Sequence, residues 1–158
     1  MESSAEPIRT VVEKWDITYR HDAGPVVSEF FRLLEEEGRI TGRRCPECGR
    51  VLLPPRGFCD RCFVDTTERV EIGHKGIIET FTVVYQTFEG LPEAPYCIAY
   101  VRLEGADTAM LNYVRGVDLH DRQRSLERLR VGAAVRVTLA PREDRRGKVT
   151  DFWYELAD

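Results

Sequence analysis

Four cysteines carry the strongest chemical signal in this chain: Cys45-Pro-Glu-Cys48-Gly, then Cys59-Asp-Arg-Cys62. Two C-x-x-C pairs, each wrapped round a tight turn, aim four thiolates at one ion. Gly49, directly after the first pair, supplies the positive φ that such a turn needs. Four thiolates fill every position around a tetrahedral cation and leave none for water or substrate, so the centre is structural rather than catalytic. Zinc is the ion this donor set favours. An iron site, a pair of disulfides and a redox dithiol are the competing readings.

Away from the cysteines the chain offers no reaction centre. It has no phosphate-cradling glycine loop with a lysine, no nucleophile elbow and no His-Glu metal motif. His21 and His120 each precede an aspartate, but adjacent residues seldom face each other in regular structure, and His74 sits in a turn, Gly73-His-Lys-Gly76. Cys97 shares a strand face with Ala99, Val101 and Leu103 and reads as a small core residue. What the residues do offer is binding. Between Arg39 and Cys62 stand six arginines (39, 43, 44, 50, 56 and 61) against Glu47 and Asp60, in a protein whose formal net charge is −4. These guanidiniums either offset the charge of a metal tetrathiolate or form a phosphate-binding surface. The stiff segment Leu52-Leu-Pro-Pro-Arg56-Gly-Phe58 is built to hold Arg56 rigidly.

The elements that position these groups follow from periodicity. Residues 1–24 read as an arm, in which Trp15, Ile17 and Tyr19 alternate with polar residues and form one apolar strand face. That face either packs on the protein's own body or clamps a partner. Residues 25–38 read as a helix: Pro25 suits its first turn, Val26/Val27, Phe30/Phe31 and Leu33/Leu34 recur at helical spacing, and Gly38 ends it. The apolar stripe is wide for so short a helix, so Phe30 lies in the core or at a partner or acyl contact. Residues 39–68 form the metal ribbon and 69–158 a strand-rich domain. There we expect strands at Gly76–Tyr85, Tyr96–Leu103 and Thr108–Val114, then a helix over Asp118–Arg130 with Leu119, Leu126 and Leu129 buried. Two more strands follow, around Ala133–Leu139 and at Val149–Leu156. Three strands, a helix and two strands is the order of the oligonucleotide/oligosaccharide-binding (OB) barrel. The loop Gln86–Pro95 puts Phe88 and Leu91 on the barrel rim, tucked inward or in contact with a ligand or partner.

Composition bounds the setting. A chain of 158 residues, 42% hydrophobic and 32% charged, can bury a core and stay in water. No membrane-spanning stretch or signal peptide is visible, and thiolates kept for a metal point to a reducing cytoplasm. Four bound thiolates and a divalent ion bring the charge near −6, which opposes non-specific nucleic-acid binding.

With these motifs in place, residues 26–156 resemble a family that joins a rubredoxin-like zinc ribbon to an acyl-CoA-associated OB-fold barrel. The resemblance runs through the aromatic helix Phe30–Gly38, the knuckle Arg43-Arg-Cys45-Pro-Glu-Cys48-Gly49, the Pro54-Pro-Arg56 turn and the knuckle Cys59–Cys62. It continues into Gly73, Gly76, Thr80 and Thr82 at the start of the barrel. The long arm and the charged helix at 118–130 depart from the family pattern. The resemblance implies a mainly β chain: N-terminal helix, zinc ribbon, then a five-stranded OB-fold barrel with a short helix between strands 3 and 4. It also implies a non-catalytic partner of a thiolase-superfamily enzyme, in hetero-oligomers acting on lipid, steroid side-chain or aromatic acyl-CoA. On that view Cys45, Cys48, Cys59 and Cys62 hold Zn2+ (or iron), Arg43, Arg44 and Arg56 hold the CoA phosphates, and Phe88, Leu91, Phe30 and Trp15 contact the partner or the acyl group. A single-stranded nucleic-acid module is the rival reading. It needs basic strands with stacking aromatics, which the barrel segment lacks. A free-standing acyl-CoA hydratase is weaker still, for want of an acid/base pair.

Overall fold

The structure, a computed structural model, describes residues 11–13 and 18–157 except for the side chain of Arg122. Trp15 and Ile17, expected on an apolar arm face, lie outside the described residues, and Tyr19 is exposed. Helix α1 spans Gly24–Glu37. Pro25 sits in its first turn, and Gly38 ends it in the left-handed region, its N–H donating to the Leu34 carbonyl at 3.1 Å while that of Arg39 reaches Leu33 at 3.2 Å. Phe30, Leu33 and Leu34 form the buried stripe.

The ribbon is a three-stranded antiparallel sheet in the order β2-β1-β3, with β1 at Thr41–Arg44, β2 at Val51–Leu52 and β3 at Glu68–Glu71. Five further strands close a barrel in the order β4-β5-β6-β8-β7: β4 Lys75–Val84, β5 Tyr96–Leu103, β6 Met110–Arg115, β7 Ala134–Leu139 and β8 Phe152–Leu156. A short helix, α2 at Arg122–Arg128, precedes β7. This is the mainly β architecture expected, with an N-terminal helix, a four-cysteine ribbon and an OB-fold barrel.

Three boundaries differ from the periodicity, each for a polar reason. β6 starts at Met110 rather than Thr108, because Thr108 spends its side chain on the ribbon (below). The residues Val149–Asp151 form a 3-10 turn rather than the start of β8. The buried Asp151 carboxylate accepts the N–H groups of Arg146 and Lys148, and the buried Asn112 amide donates to the carbonyls of Val149 and Phe152. α2 is shorter than expected because Asp121 caps it, accepting from the Arg124 N–H at 3.0 Å. On its inner side Leu119 and Leu129 are buried as expected, but Leu126 is exposed and Ser125 takes the inward position.

One core runs through all three parts. Phe30 and Leu34 of α1, Ile40, Val51, Leu53 and Ile72 of the ribbon, and Val101, Met110 and Tyr154 of the barrel belong to a single buried cluster. The joint is also hydrogen-bonded. Along β2, the Val51 N–H donates to the Asp107 carboxylate at 2.8 Å, and the Asp107 N–H returns a bond to the Val51 carbonyl at 2.9 Å. Next to them the Thr108 hydroxyl accepts from the Leu53 N–H at 2.7 Å and donates to the Leu53 carbonyl at 2.8 Å. The barrel's β5–β6 turn thus stands in for a further strand on the ribbon edge. Polar groups at that edge are satisfied without solvent, so ribbon and barrel form one body.

Candidate metal centre and ligand cleft

The two knuckles are built alike. In the first, the Gly49 N–H donates to the Cys45 carbonyl at 3.1 Å and the Cys45 N–H to the Arg50 carbonyl at 2.9 Å. In the second, the Phe63 N–H donates to Cys59 at 2.9 Å and the Cys59 N–H to Val64 at 2.8 Å. Each turn needs a left-handed residue directly after its second cysteine. Gly49 provides it at φ 73°, whereas the other knuckle uses Phe63 at φ 58°, the lone positive-φ residue other than glycine among those described.

These turns bring the four sulfurs together. Every pair of Sγ atoms lies within 4.8 Å, and Cys48 and Cys59 are 3.8 Å apart. A tetrahedral zinc with bonds of about 2.3 Å would separate its sulfurs by about 3.8 Å, so the donor set and its spacing fit such an ion. All five cysteines are free thiols, which sets the disulfide reading aside in this structure. Hydrogen bonding with Cys48, then burial, pushes the Cys62 thiol up to about 12. The Cys62 sulfur therefore keeps its proton until a cation compensates it, and metal binding to a thiol releases that proton.

The arginines divide. Arg43 is largely buried and donates to the Glu29 carboxylate of α1 at 2.7 Å and to the Thr67 carbonyl at 3.2 Å, locking the helix to the ribbon. Arg44 pairs with Glu68 at 2.8 Å and donates to the Gly49 carbonyl at 3.2 Å, bracing the first knuckle. Both serve the ribbon's own framework. Arg56 differs: among the described residues its one ion pair, to Asp60, is loose at 3.4 Å, and it reaches a cleft of about 410 Å³ between α1, the Pro54–Arg56 turn and the barrel. Val27, Phe31, Pro55, Tyr100 and Leu111 line that cleft, and Arg56 is its single charged side chain.

Phe30, expected at a contact or in the core, is 2% exposed; it belongs to the core and also lines this cleft. Phe88 (80% exposed) and Leu91 stand out on the β4–β5 loop rather than tucked inward, and neither lines the cleft. Cys97 is buried as expected, and burial pushes its thiol up to about 11. His21, His74 and His120 are exposed. The reading from sequence missed Tyr100 and Leu111. Residues 96–101 are apolar without a break, a signal that both faces of β5 are apolar, but alternate residues alone were assigned there.

Comparison with known proteins follows the same division. Residues 34–68 match the family model described as ChsH2, rubredoxin-like zinc ribbon domain, and residues 69–140 match that of the ChsH2 C-terminal OB-fold domain. The chain belongs to the ChsH2-type DUF35 family. Among curated relatives, a DUF35 domain-containing scaffold protein of Methanocaldococcus jannaschii is 35% identical over 83 residues, covering 50% of this DUF35 chain and 57% of the relative. The chain thus spans little more than half the length of that protein. A DUF35-family crystal structure from Sulfolobus solfataricus, of unknown function, superposes with a TM-score of 0.62 at 26% identity, over 85% of this chain and 87% of that one. The structure described as Ltp2-ChsH2(DUF35) aldolase matches with a TM-score of 0.63 over 88% of this chain and 100% of that one; at 18% identity it shows a shared fold. Among the described residues, no helix is long and apolar enough to cross a membrane.

Proposed function

We propose that this DUF35 chain is a non-catalytic, zinc-containing subunit that binds a thiolase-superfamily enzyme and helps form or shield that enzyme's acyl-CoA site. The observation that carries this reading is the cleft beside Arg56, a single guanidinium at the edge of apolar walls. CoA joins phosphates to a thin, weakly polar pantetheine arm. A guanidinium suits the first by charge-assisted hydrogen bonds, and an apolar slot suits the second. Zinc holds the knuckles that frame the Pro54–Arg56 turn. Arg43 and Arg44 act in this proposal by fixing the ribbon, Arg56 by touching phosphate, and Phe88 and Leu91 by meeting the partner. Scaffold is the word attached to the archaeal relative, and an aldolase assembly contains the ChsH2 counterpart, both of which support a role in a complex. The enzyme brings the nucleophile and the acid/base groups.

The test is an affinity pull-down of the tagged chain from its native host, with partners identified by mass. A stoichiometric thiolase-superfamily enzyme is expected. Nucleic-acid machinery, or no partner, overturns the reading. In the recovered complex, Arg56→Ala is expected to raise the KM for acyl-CoA by about 10- to 150-fold, in keeping with loss of a charge-assisted contact of about 1.5–3 kcal/mol. An unchanged KM removes the phosphate role from Arg56.

A further inference from the structure

On β5 the inward residues Cys97, Ala99, Val101 and Leu103 alternate with the outward residues Tyr96, Ile98 and Tyr100. In register beside them stand Thr82 and Thr80 on β4, and Tyr113 and Leu111 on β6. Three adjacent strands thus present six neighbouring outward side chains (Thr80, Thr82, Ile98, Tyr100, Leu111, Tyr113) and not one charge. A sheet face that meets only water carries polar and charged groups at such positions. Here Tyr100 is 45% and Leu111 40% exposed. Charges begin only at the margin, and they are already engaged: Arg102 with Glu79 at 2.7 Å, and Arg115 over the Trp153 ring at 4.3 Å.

The face is continuous with its surroundings. A shallow trough of about 220 Å³ between Thr80, Thr82 and Ile98 shares Tyr100 and Leu111 with the α1 cleft, so apolar surface runs unbroken from Val27 across the sheet. Beyond the ends of β4 and β5 it passes into the loop that exposes Phe88 and Leu91. Charge decides what can cover it. The loop adds Glu89 and Glu93, which make no ion pair among the described residues, while the six central residues include no lysine or arginine and the marginal Arg102 and Arg115 are engaged with Glu79 and Trp153. A nucleic acid or an anionic membrane would meet repulsion at the loop and no cation among the six central residues of the sheet.

We infer that this outer face of β4–β6 is the docking surface for the partner subunit. The partner presents an uncharged, apolar protein surface to Tyr100 and Leu111 and basic side chains to Glu89 and Glu93. The inference rests on the proposed function, which supplies the partner. The experiment places a photo-crosslinking phenylalanine at position 111, and at exposed position 131 on the α2–β7 turn as the comparison, in chains expressed in the native host. The pull-down of the unmodified chain runs in parallel. Position 111 is expected to join the thiolase-superfamily enzyme, identified by its peptides, and position 131 is not. Leu111→Lys is expected to weaken the purified pair at least tenfold while zinc content and melting temperature hold. Glu89→Lys with Glu93→Lys is expected to slow association several-fold at low salt and little at high salt. If the pull-down recovers the enzyme but position 111 does not crosslink to it, or L111K binds as tightly, the docking surface is wrong and the proposed function stands. If position 111 joins a second copy of this chain, the face is a self-association surface and the inference falls. If the pull-down recovers no such enzyme, both fall.

Discussion

Phe63 occupies a backbone position where its counterpart in the first knuckle is a glycine. A side chain there costs about 1–2 kcal/mol over glycine, yet this ring is 76% exposed, with an edge contact to Phe58 at 6.0 Å. That contact is worth about 0.5–1.5 kcal/mol, and glycine's extra chain entropy about 0.5–1 kcal/mol, so the effects nearly cancel. Phe63→Gly is therefore expected to leave the stability of the metal-loaded protein within about 1 kcal/mol by urea denaturation. A loss above about 2 kcal/mol would mean that the ring packs more than this geometry shows. Cys97 makes a prediction about pH. Burial raises its thiol from 9.0 to about 11, so between those values the unfolded chain sheds a proton that the folded chain keeps. Stability from this group is intact below pH 9 and declines as pH rises toward 11. Tyr154, buried with its hydroxyl donating to the Met110 carbonyl at 3.0 Å, is also raised and adds to the decline. Cys97→Ala is expected to shallow the fall in urea midpoint across this window; an unchanged slope would put the titration elsewhere.

Between elements, side chains decide what periodicity cannot. The helix, the knuckles and β5 were legible because caps, cysteine spacing and apolar alternation are local signals. The starts of β6 and β8 were not, because Thr108, Asn112 and Asp151 bond to backbone groups distant in sequence or to a tight turn. The same limit applies to the arginines: charge counting found Arg43, Arg44 and Arg56 alike, and only the placement of Glu29 and Glu68 beside the first two tells them apart. Thr108→Val keeps the shape but removes both bonds to the buried Leu53, and is expected to cost about 1–3 kcal/mol by thermal or urea unfolding. An unchanged midpoint would show that the joint does not depend on it. Within the barrel, Gly76 lets β4 approach β5 closely: a methyl there would come within 2.6 Å of the Arg102 carbonyl oxygen. Gly76→Ala is expected to cost about 1–3 kcal/mol through strand displacement, seen in the same measurement.

At the scale of the molecule, the single core ties the four-cysteine site to the cleft. Stripping the ion with a chelator is expected to lower the melting temperature by ten degrees or more, given the roughly 10–16 kcal/mol that structural zinc can contribute near pH 7. Readdition is expected to release protons as the sulfurs ionise, measurable in weakly buffered solution. A melting curve indifferent to chelation would show that barrel and helix hold the cage without its ion. The hydrogen-bonded strap at Asp107 and Thr108 has a bearing on how such chains can be recombined. Cutting between residues 68 and 69, where the two matched domains meet, leaves all of β3 but Glu68 outside the ribbon piece although it pairs with β1, and strips the strap of its partners. A graft of this barrel onto a foreign ribbon succeeds only where the newcomer offers backbone groups at the addresses now held by Val51 and Leu53. Lineages that shuffle these two modules must therefore carry a matched edge along with them.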